Sequence, residues 1–202
     1  MDISKELDSQ QLADAFSFSR EKQKALHGLM GILSGVVADK RLNEKGFLYL
    51  DVWLKNQQYL AEDSDVVELL NQVGEILEKG QISLEALDRM EAGIKKFLAS
   101  KKADASGYIG RLEELIGFLA GQAADGILND LEITALSKWL DSNDAVKDEW
   151  PASAIVSRLE TILEDGIVTT EERADLLDTV KQFTDADFGT SDLGSEASTA
   201  VW

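Results

Sequence analysis

Four carboxylates fall where two acidic corners of the chain could hold a cation. They are Asp125 and Glu132 in ADGILNDLE (124–132), and Asp165 and Glu172 in EDGIVTTEE (164–172). In each corner an aspartate precedes a glycine, and a glutamate follows six positions after it. That is the second half of an EF-hand loop, in which an oxygen donor at position 5, glycine at 6 and a bidentate glutamate at 12 surround calcium. Positions 1 and 3 of the same register are Gly121 and Ala123 in one corner, and Thr161 and Leu163 in the other. Neither corner alone is a complete loop. If the two met in space, Asp125, Glu132, Asp165 and Glu172 would form an all-carboxylate set suited to calcium or magnesium, with calcium the expected ion.

The same letters also spell a turn between helices. A glycine just past a helix takes the left-handed conformation at low cost. An aliphatic residue and then Asn or Thr follow, with glutamate three positions later, which is a capping box. Asn129 pairs with Glu132 and Thr169 with Glu172, while Leu128 would staple onto Ile133, Leu42 onto Phe47 and Ile82 onto Leu87. Two further copies, ADKRLNEKG (38–46) and EKGQISLEA (78–86), keep the aliphatic residue while the acids drift. Lys40, Lys79 and Gly46 replace the glycine, the second aspartate and the glutamate. Helix corner and cation site therefore both stand as readings of the second half, and only the corner fits the first.

Other chemistry is sparse. His27 is the only histidine and sits beside the apolar stripe of its helix, as a half-buried filler would. The chain has no cysteine, so thiolate ligands and disulfides are excluded. There is no G-x-S-x-G elbow, P-loop or GxGxxG motif, and no catalytic residue is assigned. With 38 acids, adjacent carboxylate pairs arise by chance.

The elements that carry the corners come from a repeat. Shifting the sequence by 86 residues without a gap aligns 25–98 with 111–184, with 19 identities over 74 positions. Trp53-Leu54 falls on Trp139-Leu140, Gly31 and Gly35 on Gly117 and Gly121, and Ile76-Leu77-Glu78 on Ile162-Leu163-Glu164. Helical spacing recurs in each unit. Ile109, Leu112, Leu115, Ile116 and Leu119 make one stripe, and Leu131, Ile133, Leu136, Trp139 and Leu140 the next. Ile155, Leu159, Ile162 and Leu163 follow Pro151, and Leu176, Leu177, Val180 and Phe183 complete the unit. The first unit predicts helices over 20–38, 43–58, 64–79 and 83–99, and Trp53 and Trp139 are core residues of their stripes. No segment alternates as a strand would. The expected fold is all-α: a tandem duplication of a four-helix unit plus an N-terminal helix. Its parts are 1–24 (an N-terminal helix packing through Leu7, Leu12 and Phe16), 25–99 (repeat 1), 100–107 (connector), 108–184 (repeat 2) and 185–202 (an acidic flexible tail).

Charge narrows the partners. Twenty bases against 38 acids leave a net charge of −18, so a phosphate backbone is repelled and direct nucleic-acid binding is not expected. Residues 25–98 carry 8 bases and 12 acids; residues 111–184 carry 6 and 16, a net of −10. A basic or polar protein partner would meet the second half. No apolar run reaches membrane-spanning length, and MDISKELDSQQL lacks the basic and apolar regions of a signal peptide, so a cytoplasmic location is expected with no membrane partner.

The pattern ADGxLNxxE…WL…WP…LExxLxDGxxxxEE, within 115–183, resembles the TerB-like helical domains of bacteria. It is most similar to the helical module that precedes a BRCT domain in some bacterial proteins, where a linker like FTDADFGTSDLGS follows. The resemblance implies an all-α fold, a bacterial setting of DNA repair, stress response or phage defence, and metal binding through Asp125, Glu132, Asp165 and Glu172. The expected function is a non-enzymatic acidic helical module for protein–protein interaction. A divalent-cation-binding TerB-like protein and an acidic mimic of nucleic acid are the alternatives.

Overall fold

The computed structural model describes residues 3–39, 44–57 and 107–188 and, between the last two, 66–67, 70–71, 73–74, 85, 88–89 and 92–96. The fold is all-α, with no strand among the described residues. Its helices are α1 (Ile3–Val36), α2 (Glu44–Asn56), α3 (Tyr108–Ala123), α4 (Asp130–Asp141), the single turn α5 (Asp144–Lys147), α6 (Ala152–Leu163) and α7 (Thr170–Phe188). The four stripes of residues 108–184 become α3, α4, α6 and α7. Pro151 sits immediately before α6, where its missing N–H costs the helix nothing. The short polar stretch SNDAVKDEW contributes α5, which the apolar pattern did not announce.

The N-terminal part differs from expectation. In place of one helix over 3–16 and another over 20–38, α1 runs unbroken for 34 residues. The intervening SFSR has neither glycine nor proline, and a break would leave unsatisfied backbone groups that continuation satisfies. Residues 3–24 are thus part of this helix rather than a separate one, and the side chains of Leu7, Leu12 and Phe16 lie outside the described residues. Helices 64–79 and 83–99 are described only in part, at helical positions such as Val66, Val73 and Ile94, all buried in the first core. The connector 100–106 and residues 189–202 lie outside the described residues, while α7 continues four residues past the expected boundary at 184.

Two apolar cores flank the pair α1–α3. Leu26, Leu29, Leu33, Leu50 and Trp53 anchor the first; Leu115, Leu119, Leu128, Ile133, Leu136, Ile155 and Leu176 anchor the second. Trp53 is buried, and half-buried Trp139 stacks on Phe118 with ring centroids 6.0 Å apart. α1 and α3 run parallel and nearly touch: a Cβ on Gly31 would stand 2.1 Å from the Glu114 carbonyl oxygen, and one on Gly117 2.2 Å from that of Gly28. Gly35 and Gly121 are equally confined, against Phe118 and Ile32. Only hydrogen fits where two helix backbones approach this closely.

Candidate functional site: paired corners beside the helix crossing

Each predicted acid holds a backbone N–H of its own corner. Asp125 Oδ1 accepts from Ile127 N at 2.9 Å, and Asp165 Oδ1 from Ile167 N at 2.9 Å. Glu132 Oε2 accepts from Asn129 N at 2.8 Å while Asn129 Oδ1 accepts from Leu131 N and Glu132 N, a complete capping box. Thr169 and Glu172 repeat it: Thr169 N donates to Glu172 Oε2 at 2.8 Å and Glu172 N to Thr169 Oγ1 at 3.2 Å. Gly126 and Gly166 take the left-handed conformation, with φ of 79° and 74°. Leu128 and Ile133 share the second core, as a staple requires. Leu42, Ile82 and Leu87 lie outside the described residues.

The two corners do meet, and Arg173 joins them. Its Nη1 donates to the Leu128 carbonyl at 3.2 Å, and its Nη2 to the Val168 carbonyl at 3.3 Å and to the Asp130 carboxylate. A planar fork with five donors suits this bridging, which a point charge could not reproduce. The junction between the corners therefore already holds positive charge. Among the described residues, no three His, Cys, Asp or Glu side chains are grouped as metal ligands. Arg173 was not singled out by the sequence; Leu87 stands at its place in the first unit. No local spacing links Arg173 to Asp130, 43 residues away.

The corner 124–132 also touches the first half. Asn129 Nδ2 donates to Asp39 Oδ2 at 3.1 Å, and Lys45 Nζ to the Asp125 carbonyl at 3.0 Å. Glu132 is buried beneath these contacts, 5% exposed. Burial pushes its carboxyl up to about 7; the Asn129 N–H opposes the shift, and the charges of Asp125 and Asp39 add to it. Gln122 Nε2 donates to the Glu132 carbonyl at 2.8 Å, and its buried Oε1 has no hydrogen-bond partner among the described residues.

At the other end of the α1–α3 crossing lies a polar network that the sequence did not reveal. His27 is buried rather than half-buried, with Nδ1 3.1 Å from Glu114 Oε1. Arg111 Nη1 donates to Glu114 Oε2 at 2.5 Å, so the buried carboxylate has two partners. Gly110 makes room for the ring, since a Cβ there would come within 2.9 Å of His27 Nε2. Glu114 and His27 belong to different halves, and neither carries a spacing motif; only pairing α1 with α3 brings them together.

Comparison with protein-family models, curated proteins and solved structures finds no match to this chain.

Proposed function

We propose that the protein is a non-enzymatic helical interaction module whose acidic second half engages a basic or polar protein. Surface charge carries this reading. Of the 16 acids in 111–184, 11 are exposed, among them Asp130, Glu160, Glu164, Asp165, Glu171 and Asp175, whereas only Lys138 and Arg158 are exposed among its bases. Such a surface attracts and orients a cationic partner over several ångströms in a salt-dependent way. The only histidine is enclosed between helices, and each of the four corner carboxylates has one oxygen on a backbone N–H. The similarity of ADGILNDLE and EDGIVTTEE to TerB-like domains supports a bacterial stress or repair setting. Among the described residues no helix is long and apolar enough to cross a membrane.

The test is retention of a partner on immobilised protein across a salt series from about 0.15 M to about 1 M. Glu160→Lys, Glu164→Lys and Glu171→Lys together reverse exposed charge without removing a capping side chain, and retention should fall steeply. Undiminished binding by this triple variant would rule out the acidic surface.

A further inference from the structure

We infer that the paired corners form a docking surface for a basic segment that also carries aliphatic side chains. The inference rests on the acidic-module reading and adds an apolar component to it. Ile127, Leu131 and Ile167 are 63%, 57% and 67% exposed, although each is a large aliphatic residue. Single exposed aliphatics need no explanation, but these three share one junction. Ile127 and Ile167 directly precede the residues whose carbonyls Arg173 bridges, and Leu131 follows the aspartate that Arg173 pairs with.

In the sequence pattern of the corner, aliphatic residues at these places are not constant. The 86-residue offset places Arg41, Lys45 and Gln81 at the positions of Ile127, Leu131 and Ile167. The corner pattern thus occurs with polar residues in one half and aliphatic ones in the other. What the second half adds is three exposed aliphatic residues flanked along the chain by Asp130, Asp165 and Glu171, all exposed. A second copy of the chain would bring the same acids against these, on a molecule already at −18, so self-association through this surface is opposed. An anionic lipid surface is repelled for the same reason. The complementary occupant is a peptide segment with aliphatic residues flanked by lysine or arginine, in which the apolar contacts set affinity and the charges set approach.

Fluorescence anisotropy with three peptides of equal length tests this on the full chain. One is an amphipathic leucine–lysine helix, one has the same lysines with glycine for leucine, and one is the leucine helix with glutamate for lysine. The leucine–lysine peptide should bind at least about tenfold more tightly than the lysine–glycine peptide, and the glutamate peptide should not bind. The Ile127→Ser/Ile167→Ser variant should lose that advantage while keeping its far-UV circular dichroism. Ile109→Ser, equally exposed at the far end of α3, should keep it. Equal binding of the two basic peptides, or an unaffected double variant, or equal loss in Ile109→Ser, overturns the docking surface but leaves the acidic module standing. Failure of both basic peptides to bind overturns both.

Discussion

Replacing Gly31 by alanine adds a single carbon at the tightest point of the α1–α3 crossing. At an open helical site the exchange is favourable by about 0.5–1 kcal/mol, because glycine is the poorer helix former. At Gly31 the new Cβ would stand 2.1 Å from the Glu114 carbonyl oxygen and 2.7 Å from Phe118 N, both backbone atoms that cannot rotate away. Ordinary contact begins near 3.4 Å, so the helices must part by about 1.3 Å. A gap of 0.5–1 Å already forfeits about a quarter to a half of a dispersion contact, and Leu29, Ile32, Leu33, Leu115 and Leu119 are buried on these two helices. Taking the upper end of overpacking, about 3 kcal/mol, and subtracting the helix gain leaves a net loss of about 2 kcal/mol. For a chain of this size that lowers Tm by roughly 4–8 °C. Gly28→Ala, whose Cβ would meet Trp53 at 3.7 Å, should be tolerated. Gly74→Ala and Gly93→Ala, with nothing within 4 Å, should stabilise. Urea unfolding followed by circular dichroism measures all four. A Gly31→Ala protein as stable as the parent would show that the backbones do not meet as described.

The raised Glu132 carboxyl makes stability depend on pH with a defined sign. Its proton is held more tightly in the folded state, so this contribution is full below about 4.5 and fades as pH rises through about 7, by at most about 3 kcal/mol. Glu132→Gln keeps an acceptor for Asn129 N and should flatten that slope relative to the parent between about pH 4.5 and about pH 8, as read by paired urea curves; parallel profiles would refute the assignment. Arg173→Gln leaves the Leu128 and Val168 carbonyls without the donors that joined them and should cost about 1–3 kcal/mol, with faster amide exchange in both corners; Arg173→Lys should recover less than half. Asp125, Glu132, Asp165 and Glu172 each have one oxygen on a backbone N–H, and the Arg173 guanidinium already stands between the corners, so calorimetry at roughly millimolar calcium should show no saturable heat. A saturable heat abolished by Asp125→Asn with Asp165→Asn would restore a cation site at the corners.

Most of the helical architecture was legible because it rests on local patterns. The stripes of 108–184, the caps at Asn129 and Thr169 and the turn glycines at 126 and 166 each depend on residues within one or two helical turns, and α4, α6 and α7 start within a residue or two of expectation. What escaped depends on residues far apart in sequence. His27 and Glu114 are 87 positions apart, and Arg173 and Leu128 are 45 apart. No periodicity encodes such pairs. The glycines are an intermediate case: the offset aligned Gly31 and Gly35 with Gly117 and Gly121, and their four-residue spacing was open to a close-packing interpretation. The unbroken α1 shows the opposite error, a boundary placed where no residue interrupts the backbone.

A loop pair that depends on a dissolved ion changes with the ion's concentration, empty at low levels and filled at high ones. Arg173 is tethered to the corners by the chain itself and cannot be diluted, and a guanidinium keeps its charge throughout the physiological pH range. The corners that carry Ile127 and Ile167 are thus joined by a group of the chain itself rather than by a dissolved ion.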